Sequence, residues 1–251
     1  MNYVNENKHL ENYRRILLLA ITCCFATNLS ADPVTDQAIG AMLKPFVAEY
    51  TLSKKRTTIG DIKLSLIQHE NHWLFVTDAK PAGIAALFTR ETIRETTGFV
   101  MQANCIKPLY YTYHRVSDKH GETRTQFDWI HGTATISNNA TSETVPLQGG
   151  MLSEHLITIA LMRDIPGADT HHYIALSENK EEQQTFSNAG TETVKVDAGQ
   201  FNTMKIIRKH GSRETIAWHS LEHQYLPVKI ERYKNGNLES QMVLKSHKTD
   251  E

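Results

Sequence analysis

Ile59-Gly60-Asp61-Ile62-Lys63-Leu64-Ser65-Leu66-Ile67, then His69-Glu70-Asn71-His72, then Trp73-Leu74-Phe75-Val76-Thr77: this stretch decides the fold. Along an extended chain Ile62, Leu64 and Leu66 fall on one face and Lys63, Ser65 and Ile67 on the other. That two-residue period marks a strand with one buried face. The polar HENH segment separates it from a second run of apolar, β-branched and aromatic residues. Together the two predict a long hairpin that fixes register early in the domain.

Working outward, the same pattern recurs. Residues 46–52 (FVAEYTL) precede the hairpin, and runs at 91–97, 108–117, 123–130 and 133–138 follow it. Further runs cover 172–176, 191–196, 203–208, 213–218, 227–233 and 238–245. Lys119-His120-Gly121-Glu122 and His131-Gly132 supply turns, and Asn235-Gly236 is the strongest hairpin signal of all. Pro108 and Pro227 open strands, where a missing N–H costs least. Gly60 and Gly199 fall where a bulge or tight turn is expected.

Only two stretches read as helical: 81–88 (PAGIAALF), and 151–163. In the longer one Leu152, Leu156, Ile159, Ala160 and Arg163 recur at three and four, Ser153 is placed to cap the start, and Pro166-Gly167 ends it. Ile157, Leu161 and Met162 make this helix apolar on more than one side, so it needs cover on two sides. The class expected is mainly β: one antiparallel curved sheet, an open or closed barrel, with the helix packed against it. A two-sheet sandwich is the alternative. A single domain is expected over 45–246, after a lead-in at 32–44 and before a tail at 247–251.

The N-terminus reads differently. Arg14-Arg15 precede the apolar run ILLLAITCCFA, and polar and small residues up to Ser30-Ala31-Asp32 follow. The run is shorter than the roughly twenty residues a membrane span requires, and the layout is that of a secretory signal. Residues 1–31 are therefore expected to be a signal peptide cleaved after Ala31, with Ala26 and Ser30 as alternatives. The expected location is periplasmic or secreted, with no transmembrane span in the mature chain. Lys8, Arg14, Arg15, Glu6 and Glu11 leave with the signal, so 27 basic and 28 acidic residues become 24 and 26, a net charge of −2. That balance argues against nucleic acid as a partner. Cys23 and Cys24 leave too, and the one remaining thiol, Cys105, reads as a small core residue.

No local constellation carries chemistry. His69 with His72, His171 with His172 and His219 with His223 lack the spacing of a metal site, and HExxH is absent. There is no GxSxG elbow; Ser153 and Ser220 lie beside His155 and His219 only in sequence. Alternating charges, as in Arg90-Glu91-Thr92-Ile93-Arg94-Glu95, read as a solvated sheet face. No catalytic residue, metal or cofactor is expected from the sequence. A curved sheet around a helix instead suggests an apolar concave surface, with Trp73, Phe75, Leu87, Phe88, Trp129, Leu156, Ile159 and Trp218 as its lining. The same residues would equally fill a dry core.

Several phrases resemble the DUF3108 family of exported bacterial β-rich proteins. They are Pro45-Phe46 with Glu49-Tyr50 and Ile59-Gly60, then Lys107-Pro108 with Tyr111 and Tyr113, then Phe127-Asp128-Trp129. Gly190 to Val196, Gly199-Gln200-Phe201, Trp218 and Leu226-Pro227-Val228-Lys229-Ile230 complete the set, over about residues 45–246. The resemblance implies an exported β-rich protein and assigns no catalytic residues. The closing pattern is also similar to lipoprotein-carrier (LolA/LolB-like) half-barrels, which implies a concave sheet holding acyl chains. The functional expectation is a non-enzymatic envelope protein binding a hydrophobic small molecule or a lipidated envelope partner. A metal-dependent or other hydrolase using scattered histidines, and a structural interaction module without a ligand, are the alternatives.

Overall fold

Each hairpin anticipated from the alternating runs becomes a pair of neighbours in one sheet. The computed structural model describes residues 43–102, 105–116, 121–138, 140–177 and 179–249. The expected signal at 1–31 with Cys23 and Cys24, the lead-in up to residue 42, the Lys119-His120 half of one turn and the last two residues lie outside the described residues. Among the described residues no helix is long and apolar enough to cross a membrane.

Strands β1 (Phe46–Lys54), β2 (Thr57–His69), β3 (His72–Pro81), β4 (Thr92–Gln102), β5 (Cys105–Val116), β6 (Gly121–Asp128), β7 (Thr133–Asn138) and β8 (Ser142–Pro146) form one antiparallel meander. A short strand, β9 (Leu152–Ser153), starts the second half and pairs in parallel with β10 (Thr170–Ser177). Then β11 (Lys180–Val196), β12 (Gly199–His210), β13 (Arg213–Ser220), β14 (Pro227–Lys234) and β15 (Asn237–Thr249) complete a second meander. The two wings join where the first strand meets the last, from Phe46↔Thr249 to Lys54↔Ser240. The result is an open curved sheet, not a closed barrel.

The sequence expectations differ from this in a few places. β8, β9 and the 180–190 half of β11 are polar or very short and carry little apolar alternation. The helix begins later than expected, because Leu152 and Ser153 are drawn into pairing with Ala175 and Leu176. A 3-10 turn (Glu154–Leu156) leads into helix α1 (Ile157–Asp164), and a second 3-10 turn (Ile165–Gly167) ends it. Ser153 stands at the N-cap position but makes no side-chain cap; its Oγ lies 3.5 Å from Thr97 Oγ1 instead. Residues 81–88 hold a 3-10 turn, Gly83–Leu87. Cys105, expected in the core, is exposed.

As its two-sided apolar pattern requires, α1 buries Ile157, Ile159, Ala160, Leu161 and Met162. They share one core with Phe46, Tyr50, Leu66 and Phe75 of one wing and Phe186, Ile206, Val228 and Leu244 of the other. The helix therefore occupies the apolar concave side. A smaller cluster at the far edges, Phe127 and Ala134 with Met151 and Leu176, brings the outermost strands of the wings together by side-chain packing. Burying each large apolar side chain contributes about 1.5–3 kcal/mol.

Ile159 is fully buried at the wing–helix junction whereas Ile130 is 92% exposed. Ile159→Ala is expected to lower stability by about 2–5 kcal/mol in urea unfolding, and Ile130→Ala to leave it unchanged. Equal effects would show that α1 is not packed between the wings.

Candidate functional site: a cleft with a cationic inner row

Inward-facing positions change character along the sheet. Across the central strands they are apolar: Leu52↔Met242↔Ile230↔Ala217↔Ile206 runs through β1, β15, β14, β13 and β12. One step toward the strand ends where the β1–β2 turn lies, the parallel row reads Lys54↔Ser240↔Arg232↔Thr215↔Arg208. The outermost pair is Arg213↔Lys234. Three cations thus stand in one cross-strand row, and two more sit beyond it.

These residues line a cavity of 920 Å³ together with His210, Glu154, Ser177, Glu182, Glu214 and Glu239. Glu182 is committed to Arg208 (2.5 Å) and His210 (2.9 Å), and Glu214 to Lys209 (3.3 Å). Among the described residues Lys54, Arg213, Arg232 and Lys234 have no ion pair. Glu154 and Arg232 also line two further volumes, so the three adjoin at these two side chains and are together called the cleft. The first, of 160 Å³, is an apolar floor of Ile157, Leu161, Phe186, Ala217, Pro227 and Ile230, with His219 at its side. His219 is wholly buried; its Nδ1–H donates to Tyr225 O (2.7 Å), while Nε2 has no partner among the described residues. Burial holds this imidazole down at about 4, so it is a neutral acceptor at neutral pH.

The second adjoining volume, of 570 Å³, is polar because the inward positions of β4–β6 are polar: Glu95, Tyr111, Tyr113, Thr123 and Thr125. Burial raises the Glu95 carboxyl above its ordinary range, and Tyr111 Oη donates to Glu95 Oε2 at 3.0 Å. His155 lies at the inner end of this volume. It stacks on Phe75 at 4.5 Å and bonds Thr77 Oγ1 through Nε2 (2.8 Å) and Thr97 Oγ1 through Nδ1 (2.9 Å). One ring nitrogen donates and the other accepts, so the neutral ring is satisfied. Burial holds His155 at about 3, which makes it a weak base. No carboxylate orients it, and it acts as a staple from β3 and β4 to the start of the helical segment.

The eight residues expected to line an apolar surface fall into three places. Trp73, Phe75, Leu156, Ile159 and Trp218 belong to the packed central core. Trp129 packs against the small edge cluster and donates from Nε1 to Pro108 O at 2.7 Å. Leu87 and Phe88 are 80% and 82% exposed and join neither cluster. None of the eight lines the three volumes of the cleft. Arg208, Arg213, Arg232 and Lys234 were missed in sequence. The signal was there in the strand parity, which puts Arg232 and Lys234 on the same face as Val228 and Ile230. Among the described residues no group of three or more His, Cys, Asp or Glu could hold a metal ion.

The sequence profile of "Protein of unknown function (DUF3108)" matches residues 49–243. The chain belongs to the DUF3108 family. No curated protein matches it. Among solved structures, it is similar to a β-barrel-like protein of domain of unknown function DUF1849 from Brucella abortus, at 11% identity and a TM-score of 0.51. That likeness covers 83% of this chain and 98% of the other, and it concerns the fold alone. A Bacteroides fragilis protein with a YmcC-like fold shares 12% identity over 82% of this chain and 96% of its own, with a TM-score of 0.32.

The depressed histidines make stability depend on pH. Unfolded imidazole takes a proton near 6.5, whereas folded His155 and His219 hold out to about 3 and about 4. As pH falls below 6.5 the unfolded state binds protons that the folded state refuses, so each histidine withdraws about 1.4 kcal/mol per pH unit. In urea unfolding between pH 6.5 and 4, His155→Gln is expected to start less stable but fall more gently than the parent, by about that slope. Parallel curves would mean that His155 is protonated in the folded protein.

Proposed function

We propose that this DUF3108 protein is a non-enzymatic, exported envelope protein whose cleft binds an amphiphile with an anionic head group. The observation that carries this reading is the inner-face row of Lys54, Arg232 and Arg208, extended by Arg213 and Lys234, of which only Arg208 has a carboxylate partner among the described residues. Cations gathered on one concave face repel one another, and Lys54, Arg213, Arg232 and Lys234 are exposed, so an arriving anion can reach them. An anionic group relieves the repulsion. The 920 Å³ mouth lies within the roughly 300–1,000 Å³ of ordinary small-molecule sites. The 160 Å³ floor is smaller and takes only an apolar part of a ligand. The exported location rests on the Arg14-Arg15 leader and its apolar run.

Organic extraction of the purified protein followed by mass spectrometry is expected to release an amphiphile with an acidic head. Titration with dodecyl phosphate should give one saturable site. Arg232→Glu should weaken it roughly ten- to a hundred-fold, the worth of a charge-assisted hydrogen bond. An empty extract together with equal affinity in parent and variant would reject the reading.

A further inference from the structure

Between β3 and β4 the chain leaves the sheet as Ala82-Gly83-Ile84-Ala85-Ala86-Leu87-Phe88-Thr89-Arg90. None of the 3-10 turn Gly83–Leu87 is buried, and Ile84, Leu87 and Phe88 are 55%, 80% and 82% exposed. The segment is nonetheless held in place. Ala82 N–H donates to Ile59 O (3.1 Å), and the Phe88 and Thr89 N–H groups both donate to Ala85 O (3.0 and 3.1 Å). Gly83 sits at φ +57°, and a Cβ there would stand 2.8 Å from Thr58 O, so the turn is seated directly on the backbone of β2. A firmly anchored turn that keeps three large apolar side chains in water marks a place of contact.

Two features say what it contacts. Away from its seat on β2 the turn projects Ile84, Leu87 and Phe88 outward as a convex tip, a shape suited to entering a fluid apolar phase and poorly suited to serving as a fitted protein groove. Its surroundings are cationic. Lys55 and Arg56 form the β1–β2 turn just before Thr58, and Lys80 and Arg90 flank the segment; all four are exposed and have no ion pair among the described residues. Of the neighbouring acids, Glu91 faces Arg115 (3.9 Å), and Asp61, the cross-strand neighbour of Lys80, pairs with Lys245 (3.1 Å), while the Glu239 carboxylate has no ion pair among the described residues, so cations outnumber free acids at the tip. Lys55 and Arg56 also adopt φ of 47° and 69°, a pair of left-handed conformations that a two-residue turn normally fills with Asn-Gly. Strained backbone retained at a cationic tip points to use of those charges.

We propose that this tip docks on a membrane surface rich in anionic lipid. Ile84, Leu87 and Phe88 enter the boundary between head groups and acyl chains, while Lys55, Arg56, Lys80 and Arg90 meet the head groups. The tip lies at the strand ends that also carry Lys54, Arg213 and Lys234, so a docked molecule turns the mouth of its cleft toward the lipid. Docking does not depend on what the cleft holds.

The test uses the full chain with Phe88→Trp, read as the emission added over the parent protein, so that binding through any other segment does not register. With vesicles of equal parts phosphatidylcholine and phosphatidylglycerol, the added indole should shift to the blue and lose its quenching by acrylamide. Pure phosphatidylcholine should give a weaker response that no longer depends on salt. Adding Leu87→Asp, or Lys55→Glu with Arg56→Glu, should raise the lipid concentration for half-response at least tenfold, with thermal unfolding unchanged. Arg232→Glu should leave the response intact, which separates this test from that of the cleft. An indole unresponsive to every vesicle overturns the proposal. So does an indole already shielded without lipid in a protein that sediments as a dimer, since a second copy would then cover the tip.

Discussion

Everything in this molecule depends on the pairing of its first strand with its last. Each wing is a meander built from near neighbours in sequence, which local turn chemistry can assemble. The β1–β15 ladder instead brings together residues about two hundred positions apart, from Phe46↔Thr249 to Lys54↔Ser240. Closing so long a loop costs conformational entropy before any contact repays it. The ladder is reinforced by Tyr50, fully buried, whose Oη donates across β15 to Pro227 O of β14 at 2.9 Å. Without the ladder each wing would present an apolar inner face, and α1 would be covered on one side only. A helix buried all round is tolerable only because both wings reach it.

The cleft follows from the same pairing. Lys54 comes from β1, Arg232 from β14 and Arg208 from β12, and they share a row only because four successive ladders hold register. Slipping any of them by one residue would turn alternate side chains to the other face and scatter the charges. Bulges at Glu49/Tyr50, Trp218/His219 and Arg232/Tyr233 show that the register is adjusted locally within this region. The backbone, not the side chains, thus forces like charges together. Glu182 offsets one of them by bonding Arg208 and His210.

Much of this architecture was legible in sequence, and the failures have physical causes. A strand with one wet face announces itself by alternation, so the hairpin His69-Glu70-Asn71-His72 and the Asn235-Gly236 turn, with φ of 50° and 75°, were readable directly. Lys180 to Gly190 of β11 is polar on both parities at its exposed end and gave no such period. Leu152 and Ser153 looked helical because helical spacing counts apolar residues regardless of which backbone they pair with. Leu87 and Phe88 read as part of an apolar concave lining or of the core because composition alone cannot separate an apolar turn pointing outward from one pointing inward. Parity on β13 and β14 did hold the cationic row. Reading it required knowing which strands are neighbours, and that is set by the long-range β1–β15 closure.

Filling the concave side with α1 also decides what kind of selectivity remains. Residues such as Phe75, Leu156 and Ile159 take up the apolar volume that a greasy ligand would otherwise occupy, so the space left over is walled by the polar ends of the same strands. Apolar contact discriminates weakly between ligands, whereas polar and charged groups fixed in position discriminate by what a wrong ligand leaves unpaired. A ligand bound as proposed would be selected in such a cleft by charge and hydrogen bonding and oriented by the small apolar floor. The helix that stabilises the fold therefore also fills the sheet's greasy centre and leaves its cationic rim as the open surface.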